Sequence, residues 1–122
     1  MENSRANGVI YPDANVITYM GGELFADLKG TAQIEHVFTE FTQQFSQMAH
    51  INGQFMLTQL SDNAAAATHY CTVKLVRVEK GKTQLQEHIV RYQDEYQKQQ
   101  GKWRISKRVA HFMLSEQREL VG

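Results

Sequence analysis

The chain has 122 residues, of which 42% are hydrophobic and 21% are charged, and its formal net charge is +0. This length suits one domain with a single hydrophobic core, and the composition is that of an ordinary globular protein. A neutral chain without a basic stripe has no overall field that would attract nucleic acid or an anionic membrane, so we expect neither partner.

A single cysteine and the lack of long apolar runs indicate the compartment. Cys71 alone cannot form an intrachain disulfide, which suits a reducing cytosol. No run approaches the length of about 20 apolar residues that a membrane helix needs. The polar residues 1–5 do not resemble a secretion signal. We therefore expect a cytoplasmic protein.

The N-terminal part of the chain predicts one short strand. Residues 1–10 are mostly polar and are expected to be flexible, so that residues 11–118 form a single domain. Residues 11–14, which read Tyr-Pro-Asp-Ala, predict a turn. Residues 15–20 then predict a strand that the glycine pair at 21–22 ends.

An amphipathic helix is predicted after Gly30, with Thr31 as its N-cap. One apolar stripe recurs at steps of three and four residues, formed by Ile34, Val37, Phe38, Phe41 and Phe45. This period predicts a helix over residues 31–46 whose aromatic stripe packs against a sheet.

The remaining sequence predicts an antiparallel meander of four long strands joined by short turns. The predicted strands cover residues 47–60, 64–79, 83–99 and 102–114. In the last one the apolar residues change from odd to even positions, which indicates a bulge near Arg108. Because the strands are apolar on both faces, we expect the helix to cover one face and a second copy of the chain to cover the other.

The last hairpin resembles that of SnoaL-like proteins. Residues 91–96 read Arg-Tyr-Gln-Asp-Glu-Tyr, and residues 101–108 read Gly-Lys-Trp-Arg-Ile-Ser-Lys-Arg. Residues 11–14, Gly30 with its helix, and His-Ile-Asn at 50–52 resemble earlier segments of the same family. These proteins belong to the nuclear transport factor 2-like superfamily, with ketosteroid isomerase and scytalone dehydratase as relatives.

The resemblance implies an α+β fold in which a cone-shaped, curved, mainly antiparallel sheet packs on helix 31–46. Family members usually begin with one or two further helices that close the cone. Here only residues 1–10 precede the first segment of the resemblance, so it implies a shortened N-terminus and an open end that an oligomer covers.

The resemblance also implies a small-molecule-binding protein that needs no cofactor and accepts an apolar, carbonyl-bearing ligand. Its implied reactions are isomerisation, dehydration and cyclisation by acid–base chemistry. His50 matches the family's histidine at the start of a long strand, and an imidazole can take and return a proton near neutral pH. The alternative for His50 is a surface histidine at the start of that strand.

Further candidate catalytic residues follow His50 along the chain. His88, Tyr92 and Asp94 occupy even positions of one predicted strand and therefore share a face. A carboxylate can orient an imidazole, and a phenol can polarise a carbonyl oxygen. The alternative for this group is ordinary packing between neighbouring strands.

Six apolar or aromatic residues are expected to line the ligand pocket, with core packing as the alternative: Tyr19, Phe25, Phe41, Met56, Tyr70 and Tyr96. The five histidines lie on different predicted elements without a short metal-ligand spacing, so we expect no metal. For Arg91 and Arg108, a salt bridge to Glu87 or Asp94 is favoured over substrate binding.

A second functional class remains open from the sequence. The chain could be a non-catalytic module that dimerises or stores a ligand, with a cone that is shallow or filled by its own aromatic side chains. The lack of predicted front helices favours this module, whereas imidazoles and phenols on strands that share a cavity favour an enzyme.

Overall fold

The structure is a computed structural model that describes residues 10–121, and it contains one six-stranded sheet and one helix in that range. The elements are β1 (Ile10–Met20), β2 (Glu23–Lys29), α1 (Thr31–Thr42), β3 (Gln47–Leu60), β4 (Ala64–Glu79), β5 (Lys82–Gln99) and β6 (Lys102–Glu119). The strand order is β2-β1-β6-β5-β4-β3, and every neighbouring pair is antiparallel except β1 and β6.

The predicted α+β fold is confirmed, since the sheet is curved, unclosed and mainly antiparallel. The four predicted strands of the meander correspond to β3–β6, and β6 extends beyond its predicted end to Glu119. The sequence interpretation missed β2, the edge strand that pairs with β1.

Two local predictions need correction. Residues 11–14 are not a separate turn, because they lie within β1, where the pairing with β6 is irregular. The helix ends at Thr42 rather than at residue 46, and Phe45 follows in a turn in which its N–H donates to the Thr42 carbonyl. The predicted flexible segment falls on residues 1–9, which lie outside the described residues, and on Ile10, which already pairs with Ile105.

The core lies on one face of the sheet, here called the inner face. It is a buried cluster formed by Cys71, Val73, Leu75, Val90 and Ala110. Phe45 packs against this cluster from the segment that follows α1. Residues that pair across neighbouring strands share a face, so the pairing register assigns the other residues to the inner face or to the opposite, outer face.

Two bulges interrupt β6, and the first of them explains why its inward-facing residues change from odd to even positions. Glu95 pairs with Lys107 and Tyr96 with Ile105, which leaves Ser106 as an extra residue. A second shift leaves Met113 unpaired between Phe112 and Leu114. The predicted bulge near Arg108 is therefore two bulges on either side of it, and each reverses the face to which the following side chains point.

The inner-face cluster should dominate the stability of the fold. Leu75 is 2% exposed, whereas Leu24 in β2 is 62% exposed. We expect Leu75→Ala to lower the free energy of unfolding by about 2–5 kcal/mol, because it removes buried methyl groups and leaves a cavity. Leu24→Ala, the same substitution at an exposed site, should cost less than about 0.5 kcal/mol. Urea unfolding of both variants checks this, and equal losses would contradict the assignment of the core.

Candidate functional site

A buried carboxylate organises the polar part of the inner face. The Asp94 side chain is 0% exposed. Arg108 donates to it twice, from Nε to Oδ1 at 2.8 Å and from Nη2 to Oδ2 at 2.9 Å. The Tyr96 hydroxyl donates to Oδ2 at 2.9 Å, and His69 Nε2 lies 2.9 Å from the same oxygen. This Asp94 cluster joins β4, β5 and β6.

The strand register brings these residues together. Asp94 of β5 pairs with Arg108 of β6 on one side and with Ala67 of β4 on the other. Tyr92 pairs with His69 and with Ala110. Ala67 next to Asp94 and Ala110 next to Tyr92 have small side chains. They leave room for Arg108 and His69 to reach across the sheet toward the carboxylate.

The cluster keeps Asp94 ionised. Burial by itself would raise the pKa of this carboxyl, but the hydrogen bonds and charge of Arg108, with the hydrogen bonds from His69 and Tyr96, lower it below its ordinary value. In turn, Asp94 raises the pKa of Arg108 and outweighs the opposing effect of burial. The pair is therefore a charged, bidentate bridge next to the apolar core of the inner face.

Aromatic rings fix the other members of the cluster. The Arg108 guanidinium lies 4.3 Å from the centroid of the Tyr92 ring, and the His69 ring stacks on Tyr92 with centroids 5.0 Å apart. Phe55 of β3 tilts against His69 at 5.6 Å. Burial raises the pKa of the Tyr92 hydroxyl, so this phenol stays protonated at neutral pH.

The pairing with Asp94 determines what His69 can do. An ionised carboxylate only accepts hydrogen bonds, so Nε2 carries the proton that Asp94 binds. In the neutral imidazole the lone pair then resides on Nδ1. A histidine that is oriented by a buried carboxylate in this way is suited to act as a general base.

Of the four predicted catalytic residues, Tyr92 and Asp94 lie in the cluster, whereas His50 and His88 do not. His50 is exposed on the edge strand β3, where it pairs with Val73 on the inner face. Partial burial and the charge of Arg108 lower its pKa. His88 lies six residues from Asp94 along β5, which corresponds to about 20 Å of extended strand.

The predicted pocket residues do not lie on one surface. Tyr19 pairs with His111, Met56 with Thr68 and Tyr70 with Arg91. These three pairs share the outer face, because each lies one residue from a position on the inner face. Tyr19, Met56 and Tyr70 are therefore separated from the Asp94 cluster by the sheet itself.

The other three predicted pocket residues lie on three different elements, namely β2, α1 and β5. Phe25 is 70% exposed in β2, and Phe41 lies on α1 with its ring 5.1 Å from that of Phe45. Tyr96 reaches the Asp94 cluster directly through its hydroxyl.

The sequence interpretation missed His69 as a site residue. His69 alternates with Cys71 and Val73, which would place it on the same face as they are. Because that strand has apolar residues on both faces, the sequence did not show which face is the inner one. The expected salt bridge from Arg108 to Asp94 is confirmed. Arg91 points to the outer face, where its buried Nε has no hydrogen-bond partner among the described residues.

The described residues give no metal site and no membrane helix. Between residues 10 and 121 no group of three or more His, Cys, Asp or Glu side chains could hold a metal ion. In the same part of the chain, no helix is long and apolar enough to cross a membrane.

A comparison with protein families shows where the chain belongs. The model of the SnoaL-like domain matches residues 11–109. A proposed aromatic ring hydroxylase from Novosphingobium aromaticivorans is 19% identical with a TM-score of 0.77, and the match covers 98% of this chain and 80% of that one. The comparison with curated proteins found no match.

Two further solved structures resemble the chain. A proposed scytalone dehydratase from N. aromaticivorans is 13% identical with a TM-score of 0.77, over 93% of this chain and 72% of that one. The hexachlorocyclohexane dehydrochlorinase LinA-type3 from Novosphingobium barchaimii is 18% identical with a TM-score of 0.73, over 99% and 78%. At these identities the similarity establishes a shared fold.

The hydrogen bond from Tyr96 to Asp94 should make the free energy of unfolding depend on pH in the alkaline range. Burial, the charge of Asp94 and the hydrogen bond to it raise the pKa of Tyr96 to about 12. Because the folded chain holds this proton more tightly than the unfolded chain, the stabilisation is complete below about pH 10 and is lost as the pH rises toward 12.

We therefore expect the stability advantage of the native chain over Tyr96→Phe to shrink by on the order of 1 kcal/mol across this range, since solvent screens the partly exposed ring. Urea unfolding between pH 9 and pH 12 measures this advantage. Tyr70→Phe on the outer face is the matched control, and an advantage of Tyr96 that does not change with pH would contradict the expectation.

Proposed function

Because the chain belongs to the SnoaL-like domain family, we propose that it binds a small apolar molecule with a carbonyl group and that His69 acts on this molecule as a general base. The reaction would be an isomerisation, dehydration or cyclisation that needs no cofactor. The observation that carries this proposal is the 2.9 Å hydrogen bond between His69 Nε2 and the buried, ionised Asp94.

The proposed step is removal of a proton from the carbon next to the ligand carbonyl. His69 Nδ1 takes the proton, and Asp94 stabilises the imidazolium that forms, while keeping its own charge through Arg108. Arg108 also supplies positive charge close to the enolate that develops. Tyr92 and Phe55 hold the imidazole between aromatic surfaces, which suits an apolar ligand.

The names of two similar structures support this class of reaction. The names dehydratase, proposed for one of them, and dehydrochlorinase both denote eliminations, in which a base removes a proton while a neighbouring group leaves. The chemistry required of the protein is the same as in enolisation, namely a positioned base and stabilisation of negative charge. The Asp94 cluster offers both within one surface.

Hydrogen–deuterium exchange of a simple ketone tests the role of His69. We expect the native chain to accelerate exchange at the activated carbon of 2-tetralone in D₂O, followed by NMR. His69→Gln should slow this exchange about 100-fold, because it removes the base. His36→Gln, the same substitution on the exposed side of α1, should leave the rate unchanged.

The same experiment separates His69 from His50. If His50→Ala abolished exchange while His69→Gln did not, His50 would be the base and the present assignment would be wrong. If the native chain gave no exchange above buffer, the enolisation proposal would fail for this ligand class. Circular dichroism of each variant confirms that a lost rate does not reflect unfolding.

A second candidate function is that of a dimerising module, and one apolar row on the outer face favours it. Ile51, Ile89 and Leu114 are 53%, 38% and 65% exposed and lie across four strands, with Thr72 between the first two. An exposed apolar row across a sheet is a surface that association would cover. We propose a second copy of the chain as the occupant, packed sheet against sheet.

Light scattering at micromolar concentration tests this association. We expect a dimer for the native chain and a shift toward monomer for Ile89→Glu, because a charge would be buried in the centre of the apolar row. Leu60→Glu, at a 64% exposed position on the inner face of β3, is the matched control and should remain dimeric. A native chain that is monomeric under these conditions would remove the dimer proposal.

A further inference from the structure

A second polar cluster lies on the inner face, well away from Asp94. It consists of His88 and Gln86 of β5 and Ser115 of β6, which pairs with His88. His88 Nδ1 lies 2.7 Å from Ser115 Oγ, and its Nε2 lies 3.4 Å from Gln86 Oε1. His88 is only 8% exposed, and the ring of Phe112 packs edge-on against it at 5.2 Å.

The bonding partners assign the proton positions in this cluster. The amide oxygen of Gln86 can only accept, so Nε2 of His88 carries the hydrogen and Nδ1 carries the lone pair. The Ser115 hydroxyl then donates a hydrogen bond to Nδ1. A hydroxyl that donates to an imidazole, which is oriented in turn by a third group, is the arrangement of an activated nucleophile.

A bulge in β6 creates this contact. Residues of β6 between the bulges at Ser106 and Met113 face inward at even positions, as Ala110 and Phe112 do. The extra residue at Met113 reverses the alternation, so that Ser115 faces inward instead of outward. Without that residue, Ser115 would lie on the outer face and could not reach His88.

The serine is also accessible. Ser115 is exposed, and a depression of about 220 Å³ is lined by Gln86, His88, Ser115, Glu116 and Gln117. Burial lowers the pKa of His88, so its neutral form, which can accept the serine proton, is present at neutral pH.

We propose that Ser115 is a nucleophile activated by His88 and that the depression beside it accepts a small, activated ester. Ser115 Oγ forms a bond to the ester carbonyl carbon while its proton moves to His88 Nδ1. The ester C–O bond breaks, and the departing alkoxide takes the proton from His88. A water molecule then hydrolyses the acyl-serine, which returns the serine hydroxyl and releases the acid.

A fluorophosphonate reagent and p-nitrophenyl acetate test this activity on the full chain. With the first, Ser115 Oγ forms a bond to phosphorus, the P–F bond breaks, and the proton goes to His88. We expect one adduct per chain, located at Ser115 by peptide mass spectrometry. With the second, we expect a burst of one p-nitrophenolate per chain before slower turnover.

The variants distinguish activation from simple exposure. Ser115→Ala should lose the adduct, whereas Ser106→Ala removes the serine at the other bulge, whose Oγ donates to a backbone carbonyl, and should keep it. His88→Asn should slow labelling about 100-fold, because it removes the base. Gln86→Ala, which leaves the buried imidazole in place, should slow labelling by a smaller factor. This variant provides the test of activation if His88→Asn does not fold.

The pH dependence separates a base from a structural partner. The labelling rate of the native chain should rise with pH through one inflection and then level off. The inflection should lie below pH 6.5, the ordinary pKa of histidine, because burial lowers the pKa of His88. The inflection should disappear in His88→Asn. The proposal is overturned if Ser115 is labelled no faster than Ser106, or if both the His88 and the Gln86 variants are labelled at the native rate.

Discussion

The bidentate bridge between Asp94 and Arg108 is the interaction on which the candidate site depends. A fully buried carboxylate without a cation would take up a proton or destabilise the fold by several kcal/mol. Arg108 supplies that cation from the neighbouring strand, so the two charges join β5 to β6 on the inner face. His69 and Tyr96 occupy the remaining acceptor capacity of Asp94, which makes the orientation of the imidazole a consequence of the charge pair.

The two bulges of β6 decide which of its side chains face the inner side of the sheet. In the first part of the strand odd positions such as Ile105 face inward, and the extra residue at Ser106 transfers that role to Arg108. The second extra residue, at Met113, returns it to Ser115. Since a shift of one residue moves every later side chain to the other face, the bulges place two separate polar clusters on one apolar surface.

An apolar band separates the two clusters. Val90 and Ala110 of the apolar core are buried between them, and Phe45 packs over this core from the segment after α1. Apolar surroundings strengthen the electrostatic contacts within each cluster, and about 20 Å of extended strand between His88 and Asp94 keeps the two clusters apart. The fold can thus carry a carboxylate-oriented histidine and a serine-linked histidine without competition between them, in line with sites that vary on a common scaffold.

The sequence alone determined the helix, the strands other than β2 and part of the site. Turn residues such as Lys80-Gly81 and Gln100-Gly101 have positive φ and end the strands where local pattern predicts. Alternation placed Tyr92 and Asp94 on one face, and the family resemblance indicated the architecture. Only the tertiary structure decided that His69 rather than His50 meets Asp94, and that Tyr70 lies on the outer face. The reason is that register and bulges depend on pairing between distant strands, which a local pattern does not contain.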